Sequence, residues 1–290
     1  MNFRASTVSL VFAGFLAAAE PGMMFIPGGE FARGRAHDHS DSNLPYYPNP
    51  LRDDRPVRTI HIDPFYLDEA EVTNGRYTAF IKATNHRSPY HWIKGQAPAG
   101  KEQFPVVNVS WDDAASFCAW ENKRLPTESE WEYACRAGSN TIYPHGKDAK
   151  LLKEYAWYDK NSEDKYHKIG ALKPNVWGLY DMLGNVAEWT LDEYRDGYFN
   201  IISEANPSVI SSSRNGKPRS VRGGSYQDKE MDVRPANRSK SDPIWNRRDP
   251  QIPKSKWWNA DAPFVGFRII KPLKQPSKEE IGAFFKQYLE

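Results

Sequence analysis

The stretch VRGGSYQDKEMDV, residues 221–233, collects residue types from which a site can be made. Its two glycines let a backbone pass close to a ligand. Arg222 brings a planar fork of donors, and Ser225 and Tyr226 bring hydroxyls. Asp228, Glu230 and Asp232 alternate, so an extended backbone would set all three on one face, where they could hold a cation or a basic ligand. A solvated acidic rim is the plainer reading. No cysteine stands in the stretch, and the whole chain holds only two. Two other places carry chemistry-bearing residues. His37 and His39 flank Asp38 as a pair of imidazoles of the kind that zinc or copper takes, but no third ligand is fixed beside them and a solvated loop is the plainer reading. NRRDPQIPKSKWWNADAPF, residues 246–264, is rich in Trp and Arg. With Trp257 and Trp258 it reads either as a loop packed by its own aromatics or as a groove wall for a peptide or a sugar.

Elements that could position these residues are short. MMFIPGGEFARG predicts two strands around a Pro-Gly-Gly turn, and RTIHIDPFYLDEAEVT predicts strand. Thr73 is placed to cap a helix over NGRYTAFIKAT. Ser110 with Asp113, and Thr127 with Glu130, have the spacing of capping boxes that open helices over WDDAASFCAWENK and ESEWEYACRAG, the second stopping at Gly138. The next 110 or so residues hold only short strand-like runs: NVWGLYDMLGNVAEWT, SVRGGSY and VGFRII. Ser277 and Glu280 form a third capping box, opening an amphipathic helix whose stripe is Ile281, Phe284, Phe285, Tyr288 and Leu289. The polar, proline-rich residues 35–58 read as an ordered surface loop. These elements imply one mixed α+β domain without an internal boundary.

At 290 residues the chain is long enough to bury a sizeable core. A net charge of +2 gives no electrostatic reason to expect a nucleic-acid partner. Ten Trp, 15 Tyr and 22 Pro point to loops held down by large side chains. The N-terminus MNFRASTVSLVFAGFLAAAE has a basic start, an apolar run too short to span a bilayer, and small residues at Ala17 and Ala19. It predicts an export signal over 1–19, a secreted or periplasmic mature chain, and no membrane span. The domain would then occupy 20–272, with the amphipathic helix over 273–290.

Six blocks in order, FIPGGEFARG, EVTNGRYTAF, PVVNVSWDDAASFCAWENKRLPTESEWEYACRAG, NVWGLYDMLGNVAEW, VRGGSY and GFRII, resemble the formylglycine-generating enzyme (sulfatase-modifying factor) family over roughly residues 23–271. The resemblance implies a variant of the C-type-lectin-like fold, loop-rich, with two main helices and small twisted sheets. In active members a cysteine stands two residues after the Gly-Gly-Ser-aromatic block, and a second follows shortly. That pair binds copper and oxidises a cysteine in a Cys-x-Pro-x-Arg segment of a sulfatase to formylglycine. Here the first position is Asp228, and the segment through Arg238 offers no thiol. A carboxylate is a hard ligand and a poor one for Cu(I), so copper is not expected. Ala187 also departs from the family, which commonly has Trp there.

The resemblance carries two further expectations. Cys118 and Cys135 match positions that pair, in relatives, with C-terminal cysteines whose places here hold Ile269 and roughly Pro235. Buried free thiols are the expected state, with a mutual bridge as the alternative. In DMLGNVAE the family places a calcium site on the Asp181 side chain, the Gly184 and Val186 carbonyls and the Glu188 carboxylate, a ring of oxygens suited to a hard cation. Taken alone, the pattern reads more readily as a plain turn with two solvated acids. A second calcium loop of some members would fall near residues 157–170, but it is shorter and altered here. The expected function is a non-oxidising binding or accessory module for a peptide or protein partner, a sulfatase or an envelope-assembly component being the candidates. The groove candidates are Arg222, Ser225, Tyr226, Asp228, Trp257 and Trp258. The alternative is an enzyme running cysteine-free chemistry in the same groove, with formylglycine generation as the remaining reading.

Overall fold

The computed structural model describes residues 20–34, 57–203, 208, 217–248, 258–274, 277, 279–281 and 283. The expected export signal, the His37–His39 pair, Trp257 and most of the C-terminal stripe lie outside the described residues.

Eleven short strands and four helices are assigned among them: β1 Met23–Ile26, β2 Gly29–Arg33, β3 Arg58–Ile62, β4 Phe65–Asp68, α1 Asn74–Thr84, α2 Trp111–Trp120, α3 Glu128–Arg136, β5 Ala187–Glu193, α4 Tyr198–Ile201, β6 Arg219–Arg222, β7 Arg238–Lys240, β8 Arg247–Arg248, β9 Trp258–Asn259, β10 Val265–Gly266 and β11 Ile270–Pro272. The Pro27–Gly28 turn separates two strands, as the sequence implies, but they do not pair with each other. β1 joins a sheet in the order β1–β4–β11, while β2 pairs with β3. Gly28 is pressed against the Ile62–Pro64 backbone, where any Cβ would lie 2.8 Å from the Pro64 ring. The chain crosses from one sheet to the other. The third sheet, β10–β5–β6–β7, positions the candidate site.

The helices start where the caps predict. Thr73 accepts from the Arg76 amide, and Ser110–Asp113 and Thr127–Glu130 each form the reciprocal box. Ala137 ends α3 in the left-handed region at φ 46°. At the C-terminus the Ser277 amide donates to Glu280 at 2.8 Å and the Glu280 amide returns to Ser277 Oγ at 3.1 Å, so the third box is present. Ile281 packs into the core.

Two apolar clusters flank the third sheet. One gathers Tyr77, Phe80, Phe117, Cys118, Trp189, Phe267 and Ile269 between α1, α2 and the sheet. The other gathers Phe31, Phe65, Leu67, Trp131, Tyr133, Cys135, Tyr198 and Val233 around α3. Trp189 donates to the Val109 carbonyl at 3.0 Å and Trp111 to the Thr190 carbonyl at 2.8 Å, so the indole groups are satisfied while their rings fill the core. Among the described residues no helix is long and apolar enough to cross a membrane.

Candidate functional site

The site loop begins where β6 ends. Gly223 and Gly224 take positive φ values of 92° and 70°. A Cβ on Gly223 would lie 3.1 Å from the Met182 carbonyl, and one on Gly224 would lie 3.0 Å from that of Asp232. Both glycines are thus required by conformation and by space. They turn the chain so that the Ser225 amide and hydroxyl both reach Asp228 Oδ2, at 2.7 and 2.8 Å. The Asp228 amide returns to the Ser225 carbonyl at 3.1 Å, closing a tight capped turn.

Neighbouring loops hold that turn from both sides. Tyr226 donates its amide to the Asn185 carbonyl at 2.9 Å, and Asp159 donates to the Asp228 carbonyl at 3.0 Å. Ser162 Oγ donates to the Tyr226 carbonyl at 2.8 Å. The Tyr226 ring is largely covered, 6.1 Å from Tyr166, which lies 6.2 Å from Phe104. Gln227 and Lys229 are exposed at the lip.

Three sequence expectations change here. Asp228, Glu230 and Asp232 do not share one extended face, because the segment runs in consecutive turns. Asp228 is consumed by its own turn and Glu230 pairs with Lys160. Burial, then the Asp228 charge, pushes the Asp232 carboxyl up. Arg222 is not a groove residue: it is fully buried, with its guanidinium on Glu132 and the Pro235 carbonyl. Ser225 is also buried and points its hydroxyl into the turn rather than outward. Trp258 lies in β9 opposite Arg248.

Beneath the loop lies a charge network that pattern reading did not find. On α3, Glu128 and Glu132 stand four apart, facing inward with no exposure. Glu128 takes Arg238 through two bonds of 2.7 and 2.9 Å and Arg33 through one of 2.8 Å. Glu132 takes Arg136 and Arg222. Burial works against the Glu128 carboxylate, but Arg238, then Arg33 and Arg222, outweigh it and hold the group down at about 2. This network fixes β2, β6 and β7 to one helix and so fixes the base of the loop.

The DMLGNVAE segment lies directly behind. Asp181 and Gly184 both adopt positive φ, and a Cβ on Gly184 would stand 2.1 Å from the Trp157 carbonyl, so no side chain fits. Asp181 Oδ2 accepts from the Gly170 amide at 2.7 Å, whereas its Oδ1 is buried with no partner. Burial raises the Asp181 carboxyl to about 6. Glu188 is differently occupied: Arg268 reaches both of its oxygens, at 2.7–2.9 Å, and Trp131 Nε1 adds 2.8 Å. Its carboxylate is therefore already neutralised by a buried ion pair.

Glu71, absent from the sequence expectations, supplies the second unfilled acid. Its Oε1 accepts from Asn185 Nδ2 at 3.0 Å, and its Oε2 is buried without a partner. Burial first, and the charge of Asp181 second, push the Glu71 carboxyl well up. Two orphaned, buried carboxylate oxygens beside a glycine turn fit a hard cation that takes the rest of its oxygens from carbonyls. Among the described residues no group of three His, Cys, Asp or Glu could hold a metal. The signal for Glu71 was its place in EVTN, two residues before the α1 cap, but nothing in the sequence aims it at Asp181.

Both thiols stand elsewhere. Cys118 in α2 and Cys135 in α3 are fully buried and free. Burial pushes both well above the ordinary thiol range. Ile269, in the place of one disulfide partner, packs in the same cluster as Cys118.

The family profile described as the sulfatase-modifying factor enzyme 1-like domain matches residues 12–252. The chain belongs to the formylglycine-generating enzyme (sulfatase-modifying factor) family. It is 30% identical to the formylglycine-generating enzyme of Streptomyces coelicolor over 72% of this chain and 83% of that one. It is 32% identical to the inactive C-alpha-formylglycine-generating enzyme 2 of Bos taurus over 60% of this chain and 71% of that one. Among solved structures, PvdO from Pseudomonas aeruginosa superposes with a TM-score of 0.64 at 23% identity, covering 87% of this chain and 94% of that one. The fold is thus the C-type-lectin-like fold of the family, and family members with and without activity are both similar to this chain. The structural unit runs beyond residue 252, since Arg268 meets Glu188 and β11 pairs with β4.

Proposed function

We propose that this protein is an exported, non-oxidising member of the family that binds a peptide or protein partner at the lip formed by Tyr226–Lys229, a sulfatase being the leading candidate. One observation carries the reading. The position of the family's first catalytic cysteine is Asp228, whose carboxylate closes a turn with Ser225, and the chain's only two thiols are buried inside helices. Copper chemistry through a thiolate pair has no ligands here. What remains is a rigid loop, braced by residues 157–162 and by the α3 charge network, with Gln227 and Lys229 presented outward. Rigid presentation of exposed residues suits recognition, because little ordering entropy is lost on binding. The similarity to an inactive relative supports the same reading. Calcium is proposed as a structural ion held by Asp181 and Glu71 with the Gly184 and Val186 carbonyls; Glu188, expected as a ligand, is spent on Arg268 and Trp131.

The experiment is affinity capture from exported proteins of the source organism, using wild type and the lip variants Gln227→Arg and Lys229→Glu. The reading expects one protein retained in stoichiometric amount by wild type and lost with both variants. Retention of nothing, or equal retention by all three, would refute it.

A further inference from the structure

Away from the Ser225–Asp232 loop, a cleft of about 350 Å³ opens between the β2–β3 pair and the C-terminal end of α3. Phe31, Tyr133 and Trp177 form one wall. The Tyr133 ring lies 5.2 Å from Phe31 at 52° and 5.0 Å from Trp177 at 66°. The rings are tilted instead of stacked; Phe31 and Tyr133 are largely buried and Trp177 half-buried, so each shows the cleft only part of its surface. The Tyr133 hydroxyl is spent on the Pro27 carbonyl at 2.9 Å, so this ring offers carbon and no free hydroxyl. Gly29 permits this closure, since a Cβ there would stand 2.8 Å from that hydroxyl.

The charges around the cleft decide what it can hold. Only Arg136 and Glu30 among the lining residues are charged. Arg136 is buried and every nitrogen is engaged: Nε with Glu132 at 2.9 Å, Nη2 with the Gly34 carbonyl at 2.7 Å, Nη1 with the Thr141 carbonyl at 3.4 Å. It has no fork left for an anion. Glu30 is exposed at the mouth and its carboxylate meets no cation among the described residues. The end of α3 that borders the cleft is the negative end of its dipole. Arg136, paired with Glu132, already meets the helix end, so the ring quadrupoles and the free carboxylate are what favour added positive charge. A bare ammonium is strongly hydrated and gives up much to enter such a wall, whereas an alkylated one is weakly hydrated and packs on ring carbon.

We propose that this cleft is a binding site for an alkylammonium cation, the quaternary or methylated ammonium group lying against Phe31, Tyr133 and Trp177 with Glu30 at the mouth. It is independent of the Tyr226–Lys229 lip. The group can arrive on a small molecule or headgroup, or on a methylated lysine of a protein.

Titration of the full chain with choline and with its neutral carbon isostere 3,3-dimethyl-1-butanol, followed by tryptophan fluorescence and confirmed by NMR, tests the proposal. Saturable choline binding is expected, with the isostere at least tenfold weaker. Glu30→Gln should weaken choline severalfold while leaving the melting temperature unchanged, because Glu30 is exposed. A trimethyllysine peptide titrated alongside distinguishes the sources: tighter peptide binding marks a protein side chain, tighter choline binding a free or headgroup cation. Equal binding of choline and its isostere, no effect of Glu30→Gln, or no binding of either cation would overturn it.

Discussion

Replacing Glu128 by glutamine removes one charge from the network under the site loop and leaves Arg33, Arg222 and Arg238 with less opposing charge. Its size follows from the carboxyl itself. Held down at about 2 in the fold against an ordinary value of 4.5, the group contributes about 3 kcal/mol at neutral pH. Removing one partner of a buried ion pair costs about 3–5 kcal/mol by the general rule, which agrees. For a chain of this size about 2 °C accompanies each kcal/mol, so the melting temperature should fall by about 6–10 °C. The pH dependence has a definite sign. Because the folded value is depressed, the contribution is complete above the unfolded value of 4.5 and is lost as pH falls toward 2. Urea melts of wild type and Glu128→Gln at pH 7, 5, 4 and 3 would therefore show a gap that is widest at pH 7 and 5 and narrows below. A gap under about 1 kcal/mol at pH 7, or one that stays constant down to pH 3, would refute the assignment of Glu128 as the central anion.

Three further outcomes follow from other parts of the molecule. Gly184→Ala sets a Cβ 2.1 Å from the Trp157 carbonyl at φ 71°, so it should cost about 3 kcal/mol or more, read as a thermal shift; a neutral substitution would contradict that close approach. Millimolar calcium at a typical extracellular Kd should add about 0.4–1.4 kcal/mol, and Asp181→Asn or Glu71→Gln should abolish the gain; identical wild-type melts with calcium and chelator would remove the site. A thiol reagent should label neither Cys118 nor Cys135 in the native protein and both in denaturant without reductant, whereas a reductant requirement would mean that they are bridged.

Local signals in the sequence carried most of the elements. The caps at Thr73, Ser110 and Thr127 depend on residues three apart, and the structure forms all three. Strand pairing was not legible, because it joins residues far apart: β1 pairs with β4, which pairs in turn with β11, and not with β2. The same limit governs the site. Asp228 was found through its place after Gly-Gly-Ser-Tyr, and the local bond to Ser225 keeps it there. Arg222 was misplaced, since a buried arginine on a strand is read as exposed unless Glu132, ninety residues away, is known to face it. Glu71 went unnoticed for the same reason: its neighbours Asn185 and Asp181 are more than a hundred residues distant.

The central claim is that no thiol-based oxidation occurs at the Ser225–Asp228 turn. Its most direct test is to incubate the purified protein with copper, oxygen and a Cys-x-Pro-x-Arg peptide and to follow the peptide by mass spectrometry. The account predicts no formylglycine above the level of a control without protein. Aldehyde product that grows with protein concentration and time, and that vanishes when copper is chelated, would contradict it.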